Sequence, residues 1–166
     1  MIADEMFLYP KGEQVDFAMF QLPGVRRDLN AGNLTGRDIA ELLPYTEYVS
    51  TVDISGAKIL QAAQDSLKYD ETHGSYSMFS YSKNVNIKFS RKDGAFKIVS
   101  FTVDGKEIDP TKTYRVAAIS HIPDGYYEGA PWKLENANKK IYDDNPSGIL
   151  LINIVEKLEG NTAEEK

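Results

Sequence analysis

Two short, almost uninterrupted apolar segments constrain the fold more than any other feature of this chain. They are residues 15–20, Val-Asp-Phe-Ala-Met-Phe, and residues 114–119, Tyr-Arg-Val-Ala-Ala-Ile. Apolar runs of this length are typical of strands that are buried on both faces, as in the middle of a sheet that helices cover. The sequence therefore predicts a layered domain built around these two strands.

Helical patterns and helix-capping residues predict the elements that cover such a sheet. Residues 1–9 have the apolar spacing of a short amphipathic helix. Residues 35–38, Thr-Gly-Arg-Asp, can cap a second helix, which Pro44 ends. Ser55 is predicted to cap a third and longer helix, and a last helix is predicted to begin at Pro146.

Elsewhere the apolar pattern changes to the period of two that strands show. Alternating segments predict strands at residues 48–54, 85–89 and 96–103. Asp93-Gly94 and Asp104-Gly105 are strong signals of tight hairpin turns.

The pattern as a whole predicts one α+β domain with mixed β-sheets layered with helices. The domain is expected to cover residues 1–160, and residues 161–166 are expected to form a flexible tail. Residues 121–146 are rich in Gly, Pro, Asn and Asp and are predicted to form a long loop, a type of segment that is often functional.

Composition excludes several classes of function. The 19 Lys and Arg against 25 Asp and Glu give a net charge of −6, which argues against nucleic acid as a partner. The chain has no cysteine, and no apolar run reaches the roughly 20 residues of a transmembrane helix. Its two histidines, His73 and His121, are too few for the ligand set of a two-metal phosphoesterase. The sequence therefore predicts no catalytic or metal-ligating residue in this chain.

One stretch of sequence resembles a known family. At residues 17–26 an apolar segment ends in Gly-Val-Arg, and a Thr-initiated helix follows that ends at Leu-Pro-Tyr, residues 43–45. This order resembles the C-terminal, substrate-binding domain of the 5′-nucleotidase and UDP-sugar hydrolase family. In that family the strand ends in an Asn-Gly-Gly-Gly-(Ile/Val)-Arg loop, and the helix ends in a Pro-Phe pair that stacks on the base. Similar family segments are found at residues 2–6, 53–60 and 103–117.

The resemblance implies a nucleotide-binding and specificity domain with an α/β/β/α arrangement. The ligand would be a nucleotide or nucleoside phosphate, and a metallophosphatase domain in cis or in trans would hydrolyse it. The resemblance implies no cofactor in this chain, since the divalent metals belong to the separate catalytic domain. It also implies a periplasmic or extracellular location and leaves open whether the chain alone is an enzyme.

The first candidate ligand segment is the loop that contains Arg26. The resemblance implies that Arg26 reaches the nucleotide, and an arginine can hold an anion through charge-assisted hydrogen bonds worth roughly 1.5–3 kcal/mol each. A surface ion pair with Asp28 is the alternative. Gln21 and Gly24 keep the family's loop positions, but Leu22 and Pro23 stand where the family has glycines.

Two further segments complete the candidate site. Tyr45 takes the place of the first base-stacking aromatic, although a core tyrosine would show the same pattern. In the shortened segment that begins at Ser120, the resemblance assigns Ser120 to the family's Asn position and His121 to its second aromatic position. Asp124 is assigned to the sugar hydroxyls, although Asp124-Gly125 is also an ordinary turn pair.

These departures leave a second function open. A degenerate, non-catalytic ligand-binding or interaction module of the same fold would keep the scaffold without nucleotide recognition. The altered loops at residues 21–24 and 120–126 favour that alternative, whereas Arg26, Tyr45 and Asp124 favour nucleotide binding.

Overall fold

The computed structural model describes residues 2–26, 28, 35–44, 48–71, 74–124, 134 and 137–146. The helices are α1 Ile2–Leu8, α2 Gly36–Leu42 and α3 Gly56–Ser66, with 3₁₀ turns at Leu22–Gly24 and Ile122–Asp124. The strands are β1 Phe17–Gln21, β2 Tyr48–Ser55, β3 Tyr69–Asp70, β4 Ser75–Tyr76, β5 Phe79–Tyr81, β6 Val85–Lys92, β7 Ala95–Val103, β8 Lys106–Glu107, β9 Thr113–Ile119 and β10 Ala137–Pro146.

Five strands form the main sheet, in the order β10-β2-β9-β1-β5. β1 and β9 pair in parallel, and the other neighbouring strands pair antiparallel. The two apolar runs are thus neighbours near the middle of a mixed sheet, where consecutive residues such as Phe17 and Ala18 are fully buried. The predicted α+β class with mixed sheets is confirmed.

A long hairpin forms most of a second sheet, in which β6, β7 and β8 are consecutive neighbours. Both predicted tight turns are present: Asp93-Gly94 has φ values of 50° and 82°, and Asp104-Gly105 has 49° and 74°. Two successive positive φ angles characterise the turn that matches the twist of a hairpin.

β3 and β4 form a separate two-stranded sheet, and aromatic rings join the five-stranded sheet to the three-stranded one. The ring of Phe101 in β7 lies 6.1 Å from that of Phe17 in β1 and 5.3 Å from that of Tyr81 in β5. Helix α1 packs against β1, β9 and β5, and α3 packs against both β2 and β7. Both sheets are therefore parts of one packed core.

The start of α3 differs from its prediction. Ser55 occupies the N-cap position, but its side chain makes no capping hydrogen bond. The first amides of the helix donate instead to the loop before β9, Gly56 N to Lys112 O at 2.8 Å and Ala57 N to Pro110 O at 3.1 Å. A Cβ on Gly56 would lie 2.1 Å from the carbonyl oxygen of Asp109, so this close approach requires glycine.

The predicted cap of α2 is confirmed. Thr35 N donates to Asp38 Oδ2 at 2.9 Å, and Asp38 N donates to Thr35 Oγ1 at 3.3 Å. This reciprocal pair satisfies two amides at the beginning of the helix.

The predicted long loop at residues 121–146 is wrong over its last part. Ala137–Pro146 forms β10, an edge strand of the main sheet, because its backbone pairs with β2 despite a polar sequence. Pro146 consequently ends a strand instead of opening a helix. The rest of the predicted last helix and the tail at 161–166 lie outside the described residues.

Candidate functional site

The parallel pairing of β1 and β9 places their carboxyl ends side by side. Met19 is opposite Ala118 in this pair, so the segments after Gln21 and after Ile119 leave the sheet at the same edge. In sheets with parallel strands, the carboxyl ends are common places for ligand sites. Two of the three segments predicted to bind ligand, residues 21–26 and 120–124, begin at this edge.

The loop after β1 is a compact 3₁₀ turn. Gln21 ends β1 opposite Phe79, and Leu22 N donates to Met78 O at 2.9 Å. A Cβ on Gly24 would lie 3.2 Å from the ring of Phe20, tighter than most such contacts. Gly24 therefore allows the loop to turn closely over the end of the strand.

Arg26 follows this turn with its side chain exposed. Its backbone N donates to Leu42 O at 2.9 Å, which ties the loop to the last turn of α2. Its Nη1 contacts Pro23 O at 3.4 Å, a weak hydrogen bond within its own loop. The backbone of Arg26 is thus anchored, and an anion can displace the contact of its guanidinium at small cost.

The segment after β9 turns back immediately. Ser120 N donates to Tyr48 O at 2.8 Å, and Asp124 N donates to His121 O at 3.1 Å. Ile122 and Pro123 are buried beneath the turn, whereas His121 is half-buried and the Asp124 side chain is exposed. The turn therefore exposes the side chain of Asp124 and leaves that of His121 half-buried.

Tyr45, the predicted stacking residue, lies outside the described residues, as do Gly125 and Tyr126. In the chain, Tyr45 stands three positions before Tyr48, the first residue of β2, which binds the backbone of Ser120. The role of Tyr45 stays a prediction.

Lys139, which the sequence did not indicate, contacts two residues of the candidate site. Its Nζ donates to Ser120 O and to Asp124 Oδ2, both at 2.5 Å, and its side chain is only 17% exposed. The reason it was missed is the incorrect loop assigned to residues 121–146. Ile141 and Tyr142 are two adjacent apolar residues, too short a pattern to predict a strand there.

A polar network lies beside the same strands, toward the beginning of β9. Arg115 donates from Nε to Glu13 Oε1 at 2.5 Å, from Nη1 to Asp53 Oδ1 at 3.0 Å and from Nη2 to Thr51 Oγ1 at 2.8 Å. Its Nη1 also donates to the carbonyl of Asn138 in β10 at 2.8 Å. One guanidinium thus joins β2, β9, β10 and the segment before β1.

This network changes the ionisation of Glu13. Burial raises the pKa of Glu13, but hydrogen bonds from Tyr142, Arg115 and Thr51 outweigh that effect and lower the pKa to about 2. Burial also disfavours the charged form of Arg115, yet its bonds to Glu13 and Asp53 raise the pKa of Arg115 overall. The ion pair is therefore held in its charged form.

The described residues contain neither a metal site nor a membrane-spanning helix. In that part of the chain, no group of three or more His, Cys, Asp or Glu side chains is arranged to hold a metal ion. No helix there is long and apolar enough to cross a membrane.

Comparison with known proteins decides the family. The family model described as 5′-nucleotidase, C-terminal domain, matches residues 1–130. The chain belongs to this 5′-nucleotidase C-terminal domain family. All seven predicted ligand residues lie inside the matched range, whereas Lys139 lies beyond it.

Relatives of known sequence agree with this family. Protein UshA of Escherichia coli is 27% identical over 105 residues, which are 63% of this chain and 18% of the relative. The chain spans about a fifth of the length of such relatives.

Two solved structures contain a region with the same fold as this chain. A 5′-nucleotidase precursor from Thermus thermophilus matches with a TM-score of 0.75 at 18% identity, over 95% of this chain and 31% of that structure. The NAD nucleotidase of Haemophilus influenzae matches with a TM-score of 0.69 at 20% identity, over 94% of this chain and 29% of that structure.

Proposed function

We propose that this domain binds a nucleotide or nucleoside phosphate and orients it for hydrolysis by a metallophosphatase domain, in cis or in trans. The observation that carries the proposal is the common edge at which the loops after β1 and β9 leave the sheet. Those loops contain Arg26 and Asp124, to which the family resemblance assigns contacts with the nucleotide and its sugar.

The chemistry of the two loops suits such a ligand. Arg26 offers planar donors that match the oxygens of a phosphate, and Asp124 offers carboxylate oxygens that match a pair of hydroxyl groups. A nucleotide carries a phosphate and a ribose with two neighbouring hydroxyls. Fixing such a ligand in a productive orientation lowers the entropic part of a reaction barrier.

Relatives named for nucleotide hydrolysis support the same substrate class. One is a 5′-nucleotidase precursor and another an NAD nucleotidase. Because the chain spans 31% and 29% of these two proteins, the hydrolytic step is proposed for the pair of domains and not for this chain alone.

A second candidate function is a binding or interaction module of the same fold without nucleotide recognition. The turn at Leu22–Gly24 favours it, because Leu22 is 43% exposed and Pro23 has no amide hydrogen to offer a ligand. The family's glycines would allow a ligand to approach the backbone more closely there.

Calorimetry with AMP, adenosine and UDP-glucose, supported by thermal denaturation, separates the two functions. Nucleotide binding predicts measurable heat with AMP and a higher melting temperature, since a ligand at a hundred times its Kd stabilises a protein by about 2.7 kcal/mol. Ribose 5-phosphate is a control for the base. Absence of heat and of stabilisation with all three ligands would contradict nucleotide binding and favour the second function.

A further inference from the structure

The edge strand β10 contains a sharp irregularity just before Lys139. The register between β10 and β2 shifts between Ala137 and Lys140, and Asn138 has a φ of 51°. This left-handed conformation is uncommon for residues other than glycine, although asparagine tolerates it better than most. The strand is therefore kinked at Asn138.

Two hydrogen bonds hold the kink in place. Arg115 Nη1 donates to Asn138 O at 2.8 Å, and Asn138 Nδ2 donates to Asp53 Oδ2 at 2.6 Å. Arg115 and Asp53 also form an ion pair with each other. The polar network beside β9 thus determines the backbone conformation of the residue that precedes Lys139.

Lys139 uses this position to bind both sides of the turn after β9. Its ammonium contacts Ser120 O at the beginning of the turn and Asp124 Oδ2 at the end, each at 2.5 Å. Hydrogen bonds from a charged donor are stronger than neutral ones. The Lys139 side chain is mostly buried, whereas the Asp124 carboxylate is 47% exposed, so water screens this pair in part. Because the same ammonium holds both groups, the orientation of the Asp124 carboxylate depends on Lys139.

We propose that Lys139 is a positioning residue that determines specificity for the ribose hydroxyls, by holding Asp124 in the orientation in which its carboxylate accepts them. This inference rests on the proposed nucleotide-binding function. It adds a residue outside the region that matches the family. Lys140, the next residue, has a different environment, with Nζ 3.6 Å from Glu13 Oε2, and provides a matched control.

The test compares the affinities of AMP and 2′,3′-dideoxy-AMP in the intact chain, measured by calorimetry. The unmodified protein should bind AMP about tenfold more tightly, since the dideoxy compound lacks both hydroxyls. Lys139→Met should reduce this ratio to about twofold or less, whereas Lys140→Met should keep it. Lys139→Arg, which retains the charge, should restore part of the ratio.

A ligand-independent measurement separates this inference from the proposed function. Lys139→Met should speed amide hydrogen exchange at Asp124, whose N–H is bonded within the turn, and Lys140→Met should not. If the unmodified protein binds AMP but Lys139→Met changes neither the ratio nor the exchange, the role of Lys139 is refuted and nucleotide binding stands. If the unmodified protein binds neither compound, nucleotide binding fails, and with it the role of Lys139 in specificity. Faster exchange would then still show that Lys139 positions the turn.

Discussion

Arg115 Nε and Glu13 Oε1 lie 2.5 Å apart, although 102 positions separate the two residues in the chain. The contact connects the segment before β1 with β9, and Arg115 extends the connection to Asp53 of β2. The pair therefore holds together parts of the sheet that are distant in sequence.

Replacing Arg115 should destabilise the domain. Arg115→Met removes the guanidinium that bridges Glu13 and Asp53, and the two partly buried carboxylates then repel each other. We expect the free energy of unfolding to fall by about 2–4 kcal/mol, measured by urea denaturation.

The control is Arg37→Met, because the Arg37 side chain is 86% exposed in its pair with Glu41. An exposed pair contributes little to stability, because water screens it. Equal losses in the two variants would contradict this prediction.

The lowered pKa of Glu13 predicts a dependence of stability on pH. The pKa is about 2 in the folded protein against an ordinary value of 4.5, so ionised Glu13 stabilises the fold fully above about pH 4.5. This contribution is lost as the pH falls toward 2, and it amounts to about 1–2 kcal/mol after allowance for solvent screening. Urea denaturation between pH 7 and pH 3 gives the free energy of unfolding of the unmodified protein and of Glu13→Gln. The difference between these two free energies should become smaller below pH 4.5. If the free energies of unfolding of the two proteins change with pH in parallel, Glu13 does not cause the loss of stability at low pH.

Gly56 should not tolerate even a methyl group. In Gly56→Ala the new Cβ would lie 2.1 Å from Asp109 O, so the helix must move away from the loop that caps it. We expect a loss of about 2 kcal/mol or more in the free energy of unfolding. Gly36→Ala is the matched control, since it also stands first in a helix and has open space around it. If both variants are equally stable, the backbone of Gly56 does not lie as close to Asp109 O as described.

Two substitutions test the ligand site directly. Arg26→Ala should weaken AMP binding by roughly 1.5–3 kcal/mol through loss of a charge-assisted contact, and Tyr45→Ala by about 1–3 kcal/mol through loss of stacking. Neither change should lower the melting temperature substantially. Calorimetry provides the affinities, with Arg37→Ala as a control for charge. Unchanged affinity in both variants would place the nucleotide elsewhere.

Hydrolysis should require a second domain. The chain has two histidines, so we expect no turnover of AMP or UDP-glucose above background with added Mn²⁺, Zn²⁺ or Co²⁺. Release of inorganic phosphate measures the hydrolysis of AMP, and release of UMP and glucose 1-phosphate measures that of UDP-glucose. Metal-dependent turnover that co-purifies with the chain and is lost in His121→Ala would demonstrate a catalytic site within the chain.

Local patterns predicted much of the fold. The apolar runs that contain Phe17 and Val116 indicated buried strands, and the capping pair Thr35 and Asp38 indicated the beginning of α2. These signals depend on residues that are close together in the sequence. Their backbone preferences and their burial can be predicted from a short segment.

Contacts between distant segments were not predictable in the same way. β10 is an edge strand with polar residues such as Asn138 and Lys139, and its pairing with β2 depends on tertiary structure instead of local preference. The same limit applies to the candidate site. The resemblance indicated Arg26 and Asp124, but no local pattern could show that Lys139 would bind Asp124.

The parallel pairing of β1 with β9 has a consequence for biosynthesis. β1 ends at Gln21 and β9 begins at Thr113, so the ribosome must add about 90 residues, which takes roughly 5–20 s, before the first strand can meet that partner. During this interval the apolar side chains of β1 have no completed sheet to cover them. Closure of so long a loop is also slow in refolding. The nascent chain is therefore most prone to aggregation before β9 has emerged, and chaperones that bind extended apolar segments would act on β1 in that period.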